Sequence, residues 1–173
     1  MSNDSIKNII NNKILMIIEK PLKYIGRAGN LAWLGFGEYV TTINHKGIQR
    51  KIAQYTLHIQ CPFRITQTEK KIICAGDMYE PNSSTEYSES FDWDKQGANL
   101  YDENARKLNF KLEKGDIVVT GINSNNMGDL RIFLSSKFEI EVFTNTSADV
   151  EEWRFFESGT EKEHFVITGK GIE

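Results

Sequence analysis

Between Gln54 and Cys61 the chain alternates without a break. Tyr55, Leu57, Ile59 and Cys61 fall on one side, and Gln54, Thr56, His58 and Gln60 on the other. A period of two belongs to a strand with one face on a core, because successive Cβ atoms point to opposite sides. Leu130, Ile132 and Leu134 repeat the pattern around Arg131 and Phe133, and Ile140 and Val142 repeat it beside Glu139 and Glu141. Half-buried strands need partners, so these runs require a sheet. Residues 117–122, 130–134, 138–143, 152–156 and 164–168 form five short runs parted by Asn, Gly and Ser turns, which is the pattern of an antiparallel meander. The predicted core draws Leu57, Ile59, Leu130, Ile132, Ile140, Val142, Trp153 and Phe155 from these strands.

Helices enter at two places. Ser5 is placed to cap a first helix with Ile6, Ile9, Ile10, Met16 and Ile17 on one stripe, ended or rerouted at Pro21. The aliphatic run before Pro21 reads equally as a strand. Asn99 is placed to cap a second helix, with Asp102 and Glu103 favourable in its first turn, Leu100, Leu108 and Leu112 on one stripe, and Gly115 at its end. Leu31 to Tyr39 reads as a strand rich in aromatic residues, and residues 41–52 as a polar, basic hairpin loop around Asn44-His45-Lys46-Gly47. Pro62 marks a strand end, bulge or edge, and residues 71–75 a short partner strand. The expectation is one α+β domain over residues 1–173. It has an antiparallel sheet, open or barrel-like, and about two helices, with residues 1–20 an N-terminal helix packed on the sheet.

A chain of 173 residues fits one such domain. Its longest aliphatic run, Ile14 to Ile18, is far short of the ~20 residues of a membrane span. The start, Met1-Ser2-Asn3-Asp4, lacks the basic region of a secretory signal. Cys61 and Cys74 have no CxxC spacing and read as free thiols of a reducing compartment, with a single disulfide between them as the alternative. The sequence therefore predicts a cytoplasmic protein without membrane contact, cofactor or metal. Its net charge of −3 is unevenly divided: residues 1–75 hold 11 Lys+Arg and 4 Asp+Glu, residues 76–173 hold 10 and 20. Such asymmetry marks either an interaction surface or two halves that interleave and cancel. No dense Lys/Arg stripe accompanies it, so direct nucleic-acid binding is not expected.

Catalytic motifs fail one by one. Gly35-Phe36-Gly37-Glu38-Tyr39-Val40 begins like a dinucleotide fingerprint, but Val40 occupies the third glycine position and no clear helix follows. Gly169-Lys170 has His164, not glycine, five residues before Gly169, so it is no phosphate loop. GxSxG and HExxH do not occur, and His45, His58 and His164 stand apart from ligand spacing. Cys61 lies three residues from His58, but alternation sets the two on opposite faces, which makes Cys61 a core residue rather than a nucleophile. Beyond Pro62, Arg64 is placed to anchor a carboxylate or a turn. No catalytic motif is complete, so the chain reads as a binding protein first, with an enzymatic domain as the alternative.

Residues 79–94, YEPNSSTEYSESFDWD, differ from the rest. They hold Glu80, Glu86, Glu89, Asp92 and Asp94 with no basic residue, and the rings of Tyr79, Tyr87, Phe91 and Trp93. Carboxylates that steer and aromatic residues that anchor suit a basic protein partner. Glu86, Tyr87, Glu89, Asp92, Trp93 and Asp94 are therefore the candidate partner-binding residues. Phe91 and Trp93 serve equally well to tack the loop onto the sheet.

The whole pattern resembles a widespread family of bacterial proteins without an assigned activity. The resemblance rests on Arg27 with Leu31, Trp33 and Phe36-Gly37; on Leu57-His58-Ile59-Gln60-Cys61-Pro62-Phe63-Arg64-Ile65; and on Asp77, Tyr79 and Pro81. It continues through Asp92-Trp93-Asp94, Gly128-Asp129-Leu130, Glu141-Val142-Phe143, Trp153-Arg154 and His164-Phe165-Val166. It covers most of the chain after residue 20. Members in Gram-positive bacteria look like immunity-type proteins encoded near polymorphic toxins, which implies a cytoplasmic binding protein that neutralises a basic toxin domain. A second expectation comes from the residues themselves: a small-molecule-binding or enzymatic domain with a pocket lined by Arg27, His58, Gln60, Arg64 and Asp77. A deep pocket favours the second, a shallow acidic surface the first.

Overall fold

In the computed structural model, which describes residues 5–84 and 90–173, the alternating runs become eleven strands among the described residues. After a short helix α1 (Ile6–Ile14) come β1 (Leu22–Ala28), β2 (Leu31–Ile43), β3 (Gln49–Ile59), β4 (Phe63–Gln67) and β5 (Lys70–Cys74). Helix α2 (Leu100–Leu112) separates these from β6 (Val119–Ser124), β7 (Leu130–Leu134), β8 (Phe138–Val142), β9 (Glu151–Glu157), β10 (Phe165–Thr168) and β11 (Gly171–Ile172). The class is α+β, as expected. The strands pair antiparallel in two sheets rather than one, ordered β1-β2-β3-β9-β10-β11 and β5-β4-β8-β7-β6, and no closed barrel forms.

The division has a local cause. Pro62 has no N–H to give a ladder, and there the chain changes partners: the Gln60 N–H still donates to Glu152 O at 2.8 Å, whereas Pro62 O accepts from the Phe143 N–H at 2.9 Å. The predicted five-strand meander is cut in the same way, β6, β7 and β8 lying in one sheet and β9 and β10 in the other. Residues 143–150 make that crossing, and the buried Glu152 carboxylate holds them by accepting from the N–H groups of Asn145 and Thr146 at 2.9 and 2.7 Å. At another corner, Val119 O accepts from Glu19 N–H and Val119 N–H donates to Lys20 O, at 2.8 and 2.9 Å.

All eight predicted core residues are buried in one cluster: Leu57, Ile59, Trp153 and Phe155 from the larger sheet, and Leu130, Ile132, Ile140 and Val142 from the smaller. The basic and acidic halves of the chain interleave, through the β3–β9 and β4–β8 pairings. Much of the charge asymmetry is thus absorbed within the fold.

Two expectations about segments need correction. The basic stretch 41–52 is mostly strand, because Thr41, Thr42 and Ile43 extend β2 and Gln49 already begins β3. Only the turn 44–48 remains, where the Asn44 side-chain oxygen accepts from Lys46 and Ile48 N–H, a local alternative to ladder pairing. Helix α1 is capped by Ser5, whose hydroxyl accepts from Asn8 N–H, but it stops at Ile14 and tightens into a 3₁₀ turn over Leu15–Ile17. That turn shifts the helical phase, so Ile17 is buried while Met16 is exposed. Helix α2 begins at Asn99, whose side chain accepts from Asp102 N–H at 2.8 Å, and lies along β1. There the Asn109 amide donates to Ile25 O and accepts from Ile25 N–H, both at 2.9 Å. One side chain so stands in for a missing strand at the sheet edge. Among the described residues no helix is long and apolar enough to cross a membrane.

Candidate functional site

Arg27, on β1, is 4% exposed. Its guanidinium donates from Nε and Nη2 to the two carboxylate oxygens of Asp102, each at 2.8 Å, the fork geometry that suits arginine. Nη1 donates to Gly29 O at 3.1 Å and reaches Asp94 Oδ1 at 3.3 Å, while Nη2 faces Trp93 O and Asp94 O at 3.4 and 3.3 Å. One cation thereby ties β1, the first turn of α2 and the backbone of residues 93–94 together. Nearby, Asn99 donates to Trp93 O at 2.8 Å, Asp92 accepts from Asp94 N–H at 3.1 Å, and the Trp93 ring packs on Tyr79 with centroids 5.0 Å apart.

The same loop is closed at its base. Asn82 N–H donates to Ala98 O at 2.9 Å and Leu100 N–H to Glu80 O at 2.8 Å. The Glu103 carboxylate accepts from Ser83 N–H and hydroxyl at 2.7 and 2.9 Å and from Lys107 at 2.6 Å. Lys107 first, then Ser83, hold that carboxyl down to about 2. Of the predicted partner-binding residues, Asp92 and Asp94 are exposed and Trp93 is half-buried; Glu86, Tyr87 and Glu89 lie outside the described residues. The Trp93 ring packs within the loop, on the half-exposed Tyr79, and it is the backbone of residues 93 and 94 that Arg27 holds to the sheet.

The residues of the expected pocket go to separate places. Arg27 is committed to the loop. Arg64 is bound to Glu141 on the outside of the smaller sheet. Asp77 accepts from Cys74 N–H at 2.9 Å, Gln60 is exposed, and His58 faces outward from the larger sheet. Cys61 is 5% exposed, and burial, helped by Glu152, pushes its thiol up to about 12. It is a core residue as expected, with negligible thiolate at neutral pH. Among the described residues no group of three or more His, Cys, Asp or Glu is placed to hold a metal ion.

A surface that sequence reasoning missed lies around His58. In one cross-strand row Gly26, Trp33, His58 and Arg154 stand side by side on β1, β2, β3 and β9; in the next row stand Tyr24, Gly35, Thr56 and Phe156. Rings and glycines alternate. A Cβ on Gly26 would come within 2.6 Å of the Trp33 indole, and one on Gly35 within 2.5 Å of the Tyr24 ring, so both rings lie flat on the neighbouring strand. His58 meets Phe156 edge-on at 5.0 Å, and Phe156 stacks on His164 at 4.1 Å. Arg154 is held by Glu151, and desolvation foremost, then Arg154, lowers the His58 pKa. The available signal was the pair Tyr24-x-Gly26 and Trp33-x-Gly35, an aromatic and a glycine two apart on each arm of a hairpin, which antiparallel pairing brings face to face. Comparisons with protein-family models, with curated proteins and with solved structures gave no match.

Proposed function

We propose that this chain is a non-enzymatic binding protein that docks a basic protein domain on the 79–94 loop, in the manner of the immunity-type proteins its sequence resembles. The observation that carries the reading is the Arg27 hub. It fixes the backbone at residues 93 and 94 and meets one Asp94 carboxylate oxygen at 3.3 Å, while the side chains of Asp92 and Asp94 both stay exposed. Tyr79, about half exposed, and Glu80, also exposed, stand beside them, and the sequence adds Glu86, Tyr87 and Glu89. Docking residues that are held in place before the encounter, as those at 80–83 and 93–94 are, lose little entropy on binding. Exposed carboxylates around aromatic anchors then draw in a cationic partner and hold it. A toxin domain that grips nucleic-acid phosphates is cationic for that purpose and fits the chemistry.

The test is association kinetics with the product of the neighbouring gene, over a salt series. The double variant Glu80→Gln, Asp92→Asn removes charge and spares the contact of Asp94 with Arg27. It is expected to slow association several-fold with little change in dissociation, and added salt is expected to slow the wild type likewise. Tyr79→Ala is expected to speed dissociation. Association indifferent to salt and to the double variant would reject the loop as the docking surface.

A further inference from the structure

The long arm of the β2–β3 hairpin forms a wall beside the ringed face of the larger sheet, and between them lies a depression of about 590 Å³. Cavities of this size hold small molecules rather than solvent alone. Its floor is Trp33, His58, Phe156 and Tyr24. Trp33 lies against Gly26 and Tyr24 against Gly35; Tyr24 also stacks on Tyr39 with centroids 6.4 Å apart, so Trp33 is the ring that turns a face away from the sheet, as a stacking surface does.

Polar groups in the same depression are of two kinds. Thr56 and Ser158, both buried, share one hydrogen bond at 2.8 Å, which leaves one of the two hydroxyl hydrogens free. Thr42, on the hairpin wall, keeps its hydroxyl oxygen buried without any partner, the one such side-chain atom among the described residues. The second kind is charge. Arg50 and Lys51 line the depression, both exposed, neither with an ion-pair partner among the described residues, and no carboxylate lines it. Elsewhere in the fold, Arg27, Arg64, Arg131 and Arg154 each have a carboxylate.

Stacking surface, hydroxyls and unmatched cations match, in kind, a base, a sugar and a phosphate. We infer that this depression binds a nucleoside monophosphate, the base against Trp33 and its neighbouring rings and the phosphate at Arg50 and Lys51. The site shares no residue with the 79–94 loop, so it stands or falls apart from the protein-docking reading.

The experiment is a calorimetric titration of the full chain, paired with tryptophan fluorescence, using adenosine, guanosine, cytidine and uridine 5′-monophosphates. The matching nucleosides and inorganic phosphate separate ring from anion. At least one monophosphate is expected to bind saturably with a Kd of ~1 mM or tighter, its nucleoside about tenfold more weakly, and phosphate alone hardly at all. Arg50→Ala with Lys51→Ala, on exposed side chains that leave the core untouched, is expected to weaken binding about tenfold or more. Trp33→Leu is expected to weaken it and remove the fluorescence change, while Glu80→Gln with Asp92→Asn leaves it intact. Saturation by none of the four, equal affinity for nucleoside and monophosphate, or indifference to the Arg50/Lys51 variant would overturn the assignment. Tighter binding of a 5′-phosphorylated single-stranded oligonucleotide than of any mononucleotide would overturn it too, in favour of a nucleic-acid surface.

Discussion

On the outside of the five-stranded sheet, Arg64 is bound to Glu141 and Arg131 to Glu139, with Glu141 also 3.8 Å from Arg131. The guanidinium groups lie over rings as well, Arg64 over Phe143 and Arg131 over Phe133. On the outside of the six-stranded sheet Arg154 is matched by Glu151, but the rings sit beside glycine and hydroxyl groups, and the hairpin cations Arg50 and Lys51 have no carboxylate in the depression they line. The backbones are of one kind and the inward faces share one core; only the outward pairing differs. A face whose charges are already matched across strands has little to offer a charged ligand, and its pairs contribute modestly to stability. Charge left unmatched beside stacking rings is what a ligand satisfies. Net charge summed over the chain hides this contrast.

The largest effects should not separate the two sheets. Leu57→Ala in β3 and Ile132→Ala in β7 remove fully buried side chains from one core, and each is expected to cost about 2–5 kcal/mol in urea unfolding. A much smaller loss in one sheet would show that its inner face is not packed like the other.

Glycines facing rings give the next contrast. Gly26 opposes Trp33 and Gly121 opposes Phe133, but an added Cβ meets the indole at 2.6 Å and the Phe133 ring at 3.4 Å. Gly26→Ala must displace Trp33 and is expected to cost roughly 1–3 kcal/mol. Gly121→Ala is expected to be neutral or stabilising by up to about 1 kcal/mol through the unfolded chain. Equal costs would mean that Trp33 is not seated on its glycine as described.

The sequence carried the inward faces well, because burial imposes a period of two wherever a strand meets a core. Leu57, Ile132, Ile140 and Trp153 were all readable. The split into two sheets was not, since alternation runs on through Gln60 and Cys61 while only the hydrogen-bond partner changes at Pro62. The outward faces were less legible for a related reason. Arg27 and His58 look alike as polar residues near aromatic ones, yet Asp102, distant in sequence, claims Arg27 and leaves His58 at the depression. The clustering of Arg27 with Asp77 or Arg64 failed because each had its own nearer carboxylate or backbone partner. The Tyr79–Asp94 loop stood out by composition, but its fixed point on Arg27 depends on tertiary contacts.

Acid separates His58 from the paired carboxylates of both sheets by window. Burial, then Arg154, lowers the His58 pKa from 6.5, so the unfolded chain binds the proton more readily. The stability this gives is complete above pH 6.5 and is lost as pH falls toward the folded value. Arg64 lowers the Glu141 pKa from 4.5, and Arg154 does the same for Glu151. Their contributions are complete above pH 4.5 and are lost only as pH falls below it. Urea unfolding between pH 7.5 and 5 should therefore show a decline in the wild type that His58→Gln flattens. An unchanged slope in the variant would remove His58 as its source.

The smallest effect tests whether the paired face is as inert as the contrast requires. Side chains of Arg131 and Glu139 are 48% and 22% exposed, so solvent screens the pair. A double-mutant cycle of Arg131→Ala and Glu139→Ala is expected to give a coupling of about 0.2–1 kcal/mol at low salt, shrinking at high salt. Arg131 also touches Glu141 and the Phe133 ring, but those contacts are lost on both legs of the cycle and cancel to the extent that Glu139 does not alter them. A coupling well above this range that survives high salt would mean that the linked pairs of Arg64, Glu141, Arg131 and Glu139 stabilise the sheet as a unit. The five-stranded face would then owe its arginines to folding, and matched charge would no longer suffice to explain why the depression lies on the other sheet.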